Sequence, residues 1–252
     1  MSDIVIKIAE IGLSQPVYDL FGTLGIIAAL VFPVWYGKKL NLKCWHTALF
    51  VSVSLTVSFF SIHVIIIDAV CFITEHSSIP GVLTTSIIRV LLLIPMVSFW
   101  MCKVLKLEWG RVCDTIAFVP MLLGGIGAFG CIFTGCCRGF PCEFGIYNSY
   151  VEEVVFPIQL VNAFLMLVIA VYIYLRSKHR NFVSDGLSYP IMLILFGSTR
   201  FLTEFLCDNQ KVLLGCSVLA IHALKDCIVG MIAFYWIRHC KKALRVDYGC
   251  EL

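Results

Sequence analysis

The sequence predicts an all-α, polytopic membrane protein of about seven transmembrane helices, and three observations carry that prediction. Of its 252 residues, 60% are apolar and 14% charged, whereas an ordinary soluble domain has about a quarter charged. The apolar residues fall in runs near the roughly 20 that a helix needs to cross a bilayer core of about 30 Å. Lysine and arginine gather between alternate runs, as they do on the cytoplasmic side of membrane proteins. With a mean hydropathy of +0.94, the chain lacks the polar residues needed to coat a soluble surface. A disordered chain, a nucleic-acid binder with a basic face and a small disulfide-stapled secreted module are excluded on the same grounds.

Seven runs qualify, at 17–36, 46–72, 82–102, 115–133, 156–175, 187–206 and 213–237. No water reaches the hydrocarbon to satisfy a free amide, so each run is expected to be an α-helix. The first is followed by Lys38, Lys39 and Lys43. The second carries Asp68, and the third carries Arg89 and is followed by Lys103, Lys106 and Arg111. The fourth is rich in glycine, and the fifth leads into Arg176, Lys178 and Arg180. The sixth holds Arg200 and Glu204. The seventh holds Lys225 and Asp226 and precedes Arg238, Lys241, Lys242 and Arg245. Thirteen of the nineteen basic residues therefore lie on one side, against Lys7, Arg138 and Lys211 on the other. This alternation predicts an amino terminus outside and a carboxy terminus in the cytoplasm, with residues 1–252 forming a single integral membrane domain. Asp3, Lys7 and Glu10 precede the first run, so no cleavable signal peptide is expected.

The longest non-helical stretch, 134–155, is where chemistry is first sought, because long loops carry function more often than packing. The tract leading into it reads GGIGAFGCIFTGCCRGFPCEFG from Gly124. Gly125, Gly127 and Gly130 formally match a dinucleotide fingerprint, yet a fingerprint follows a strand and opens a helix. This one ends a membrane run. Two readings stay open for it: close helix packing on small residues, or a glycine-rich helix end that holds a phosphate with help from Arg138. The spacing of Cys131, Cys136, Cys137 and Cys142 matches no zinc site, and the one histidine in a loop on the same face, His76, belongs to another loop. These cysteines read as small packing residues, with an outer-face disulfide involving Cys142 as the alternative. No metal or cofactor is expected, and no hydrolase or kinase motif occurs.

Charges inside a span cost at least about 2.5 kcal/mol each and mark candidate functional positions. Arg200 and Glu204, four residues apart, share one helix face and can pair or line one polar pocket. Lys225 and Asp226, being adjacent, leave their helix about 100° apart and are read as structural.

These residues together resemble the prolipoprotein diacylglyceryl transferase family. The resemblance rests on the glycine-rich fourth span running into GCCRGFP, on the later FPIQLVNA, and on FGSTRFLTEF in the sixth span. It covers mainly 114–208, and Phe196, Gly197, Arg200, Phe201, Glu204 and Phe205 carry its most specific pattern. It implies transfer of a diacylglyceryl group from phosphatidylglycerol to the thiol of a bacterial prolipoprotein, in the cytoplasmic membrane. Arg200 would hold the lipid phosphate and stabilise charge as its bond to the glyceryl group breaks, because its planar fork donates two hydrogen bonds at once. Glu204 would act with it. Tyr18 would sit near the lipid, Gly139 would close the signature, and Gln159 would follow the family's proline, here Pro157.

Departures are specific too. Ala128 stands where the signature has arginine, Cys131 and Thr134 replace its asparagines, and Cys136 replaces its glutamate. Phe156 replaces a histidine, Val161 a tyrosine, Asn162 a glutamate, and Phe196 lacks a tyrosine hydroxyl. The His-Gly-Gly segment at the start of the third span has no counterpart. Two readings stay open for Arg138: a solvated loop charge or surface ion pair, or a second phosphate contact that replaces the one missing at Ala128, a role Arg89 could also fill. The implied partners are a phosphatidylglycerol-like phospholipid and a prolipoprotein or other exported protein, with no nucleic acid. Two alternatives differ in class: a non-catalytic lipid- or protein-binding descendant of the family, and a small-molecule transporter. The transporter reading lacks an internal repeat and paired broken helices.

Overall fold

The computed structural model describes residues 15–63, 91–135, 139–148, 152–207 and 217–248. Among them run α1 (Gln15–Lys39), α2 (Cys44–His63), α3 (Leu93–Leu105), α4 (Trp109–Ile116), α5 (Phe118–Thr134), β1 (Pro141–Asn148), β2 (Glu153–Val155), α6 (Ile158–His179), α7 (Ser188–Glu204) and α8 (Val218–Tyr248). A helix overlaps each of the seven apolar runs. Among the described residues, four stretches are long and apolar enough to cross a membrane: Pro16–Lys39, Trp109–Thr134, Ile158–His179 and Leu219–His239. Residues 64–72 and 82–90, parts of the second and third runs, lie outside the described residues, as do Asp68, His76, Arg89, Cys136, Cys137, Arg138 and Lys211.

Two boundaries differ from the apolar pattern for local reasons. The fourth run is two helices broken at Ala117. Pro120 supplies no amide to the Ile116 carbonyl, and its ring crowds that carbonyl, so the turn cannot continue regularly. The last helix starts at Val218 rather than near residue 213. There the Ala220 amide donates to Ser217 Oγ at 3.1 Å, an N-cap that satisfies an otherwise orphaned donor.

The segment expected to be irregular is an antiparallel hairpin, a β element added to the all-α expectation. Ile146, Tyr147 and Asn148 pair with Val155, Val154 and Glu153, and the register slips between Pro141 and Ile146. Aromatic and β-branched residues on both strands favour the pairing. At the slip a Cβ on Gly145 would overlap the Val155 backbone, so a bulge forms where only glycine fits.

Small residues set the helix contacts. A Cβ on Gly25 would lie 3.1 Å from the Leu123 carbonyl, and one on Gly130 would lie 3.1 Å from the Tyr18 ring. Phe21 stacks with Phe133 at 5.7 Å along the same α1–α5 seam. Gly124 and Gly125 receive Met166 and Leu167 of α6. Close packing thus accounts for three of the glycines in the tract, while Gly127 faces open space. On the far side α7 and α8 run antiparallel, with Gly197 against Ala223 and Cys227 and Gly230 against Leu193 and Ile194. A Cβ on Gly197 would fall 2.6 Å from two α8 backbone atoms. Gly197→Ala is therefore expected to push the helices apart at a cost of about 1–3 kcal/mol. Thermal unfolding in detergent reads this, and an unchanged midpoint would refute it.

The bundle has two chemically different ends. At one end Tyr36 donates to Ser177 Oγ at 2.6 Å, and Lys39 lies over Trp35 at 4.5 Å and Phe182 at 4.8 Å. The Arg111 guanidinium reaches the Leu40 carbonyl at 3.5 Å, while Trp109 meets Phe99 at 5.5 Å. Each of the five tryptophans, at 35, 45, 100, 109 and 236, lies within three residues of a lysine or arginine. The opposite end carries the hairpin.

Candidate functional site

The hairpin base docks on the C-terminal end of α7. Gly139 and Cys207 form an isolated antiparallel bridge, the Phe140 amide donates to Leu206 O at 3.2 Å, and the Phe156 amide donates to Phe140 O at 3.0 Å. The Phe140 and Phe156 rings stack, with centroids 5.5 Å apart and planes 4° from parallel. A Cβ on Gly139 would sit 2.5 Å from Phe156 O and 3.0 Å from Leu206 O. Gly139 therefore permits a close backbone approach that no larger residue allows.

One turn inside this junction lies the ion pair. Arg200 Nη2 meets Glu204 Oε2 at 2.8 Å, with side chains 8% and 3% exposed. The i,i+4 spacing on α7 makes the encounter geometrically natural. Ser217 at the start of α8 donates to Glu204 Oε1 at 2.6 Å. The Thr203 hydroxyl stands 3.0 Å from Asn162 Oδ1 and 3.2 Å from Arg200 O, which ties α6 to the same node. Arg200 Nε is buried with no hydrogen-bond partner among the described residues. Leaving a buried guanidinium donor unmatched is costly.

Gln159, 6% exposed, lies in the first turn of α6, three residues before Asn162 and two after Pro157. The structure thus brings Arg200, Glu204, Gly139 and Gln159 to one end of α6 and α7. Tyr18 sits at the same end on the α1–α5 seam, where its ring covers Gly130. Arg138 lies outside the described residues. Ser217 and Thr203 escaped the sequence reading, whereas Asn162 is marked there as a departure from the family's glutamate. Ser217 lay inside the expected 213–237 run, so its cap signature before an apolar stretch was hidden by the misplaced boundary. Thr203 is too ordinary a residue to mark itself.

Elsewhere, Lys225 Nζ and Asp226 Oδ1 pair at 3.1 Å, because the flexible lysine stem bridges the angular gap between adjacent positions. Ser198 Oγ and Cys227 Sγ are 3.3 Å apart. Cys142 forms no disulfide among the described residues, and its thiol donates to Phe144 O at 2.9 Å.

A helical bundle with several membrane-crossing helices and a buried arginine–glutamate node beneath one end belongs to the integral membrane proteins that keep a polar site within their span. The family model for prolipoprotein diacylglyceryl transferase matches residues 86–236, more than half of the chain, and the chain belongs to that family. It is a multi-pass membrane protein of a transferase family. No curated protein matches the sequence. The matched interval includes Gly139, Gln159, Arg200, Glu204 and Ser217, whereas Tyr18 precedes it.

Proposed function

We propose that this protein transfers a diacylglyceryl group from a phosphatidylglycerol-like phospholipid to the thiol of an exported protein, in the bacterial cytoplasmic membrane. The single observation that carries this reading is the buried Arg200–Glu204 pair, with Arg200 Nε lacking a partner among the described residues, in a chain of this family. In the reaction a sulfur–carbon bond forms to the glyceryl carbon as its bond to the phosphate oxygen breaks. The electron pair leaves with the phosphate, and the thiol proton is released. Arg200 stabilises the negative charge growing on that oxygen, and Glu204 holds the guanidinium in place. Gly139 and Gln159 shape the approach from the hairpin end, Tyr18 contacts the lipid, and Arg138 adds a second phosphate contact. Complementation of a strain depleted of the transferase, with labelled lipid to follow thioether formation, tests the reading. No rescue and no label transfer would overturn it.

Phe156 favours a second reading. Where the family has a histidine, this side chain stacks on Phe140 and packs the hairpin base. Binding of lipid without turnover follows if nothing replaces that histidine. Retained phosphatidylglycerol in the purified protein, together with no transfer, would select it.

The proposed topology is seven spans with the hairpin outside and the basic, tryptophan-bearing end in the cytoplasm. Tryptophan and lysine favour the membrane–water interface, which supports placing that end at one membrane face. In intact cells an impermeant thiol reagent is expected to label Cys142 and to spare Cys44. The opposite pattern would invert the protein.

A further inference from the structure

We infer that Ser217 is a positioning residue for the transfer reaction, setting through Glu204 which edge of Arg200 faces the substrate; this rests on the transferase reading. The hydroxyl has one proton and two acceptor sites. The Ala220 amide, which can only donate, takes an acceptor site at 3.1 Å. The proton is thereby directed to Glu204 Oε1 at 2.6 Å. With Oε1 hydrogen-bonded by Ser217 and Oε2 in ion-pair contact with Arg200 at 2.8 Å, turning the carboxylate about its last bond gives up the Ser217 hydrogen bond. Arg200 is then held through Nη2, and its Nε edge, without a partner among the described residues, remains for an anionic oxygen of the substrate.

A plain capping role for Ser217 makes a different prediction, because glycine caps a helix within a few tenths of a kcal/mol of serine. Capping alone predicts that Ser217→Gly behaves as wild type. Positioning predicts that it loses the hydrogen bond to a charged group and that kcat falls at least about tenfold, while KM for phosphatidylglycerol changes little. Ser217→Thr keeps both hydrogen bonds and is expected to recover most of the loss. The experiment measures transfer from phosphatidylglycerol in mixed micelles to a cysteine-containing lipoprotein signal peptide. Alongside it, infrared spectra follow the carboxylate band that vanishes in Glu204→Gln. That band is expected to shift in Ser217→Gly and to return in Ser217→Thr. An active wild type whose Ser217→Gly variant keeps its kcat overturns the inference and leaves the transferase reading standing. A wild type without transfer overturns the transferase reading, and the infrared band alone then decides: an unmoved band overturns the placement of Ser217 and a shifted one upholds it.

Discussion

Replacing Arg200 with alanine is expected to lower lipid transfer by at least about a hundredfold, the effect of deleting one preorganised donor to a developing oxyanion. Lysine at the same position keeps the charge but offers a point donor in place of a planar fork, so Arg200→Lys is expected to recover only part of the activity. The substitution has a second consequence that must be separated from the first. Glu204 is buried and faces Arg200 at 2.8 Å, and removing one member of a buried pair typically costs about 3–5 kcal/mol, because the other charge is stranded. Glu204→Gln/Arg200→Ala removes both charges and is expected to regain much of the stability. Activity is expected to stay low in that double variant. Transfer rates and thermal midpoints measured on the same preparations separate the two effects. If activity returned with stability in the double variant, the pair would be a structural tie and Arg200 would have no part in the chemistry.

Much of this site was legible in the sequence because intramembrane charge is expensive. Arg200 and Glu204 stand out in an apolar run, and their spacing already placed them on one helix face. Gly139 was legible only through the family signature; the reason for it, a backbone junction with Phe156 and Leu206, is a tertiary contact that no local pattern encodes. The glycine tract allowed either phosphate binding or packing. Gly124, Gly125 and Gly130 resolve toward packing because their missing side chains are filled by α6 and α1, and which helix lies across a small residue depends on the whole topology.

The hairpin was hidden for a different reason. One of its strands has only three residues, and Gly145 and Pro141 read locally as loop punctuation. In the structure those same residues mark the bulge at which Pro141 and Ile146 both face Val155. Ser217 was obscured by hydropathy itself: residues 213–237 are apolar almost throughout, and a window that averages them cannot see a cap four residues inside. Both misses arise where one residue's hydrogen bond overrides the average character of its neighbours.

A second large effect on stability is expected at Asp114, which lies far from the proposed chemistry and directly before the fourth apolar run. The residue is 2% exposed. Its Oδ2 accepts from Ser184 Oγ at 2.7 Å and from the amides of Asp185 at 3.1 Å and Gly186 at 3.0 Å. Its Oδ1 accepts from the Ser188 amide at 2.9 Å. Ser188 opens α7, whose own cap residue, Leu187, has no side chain able to do this. One carboxylate on α4 therefore caps the helix that carries Arg200. The loop can reach it because Gly186 adopts φ +67°, and a Cβ there would lie 3.1 Å from Gly110. The loop is pinned a second time from the end of α6, where Arg176 in its last turn and Arg180 just past it both pair with Asp185. Asp114→Ala leaves three buried amides and a hydroxyl without their acceptor. Each unsatisfied group costs about 1–3 kcal/mol, so a loss of at least about 3 kcal/mol is expected even if water satisfies some of them. Asp114→Asn keeps one oxygen but turns an amide group toward amide donors, and an intermediate loss is expected. Chemical or thermal unfolding in detergent reads both, with the order wild type, Asn, Ala. An Asp114→Ala variant as stable as wild type would mean that the 184–188 loop is held by its arginine pairs alone.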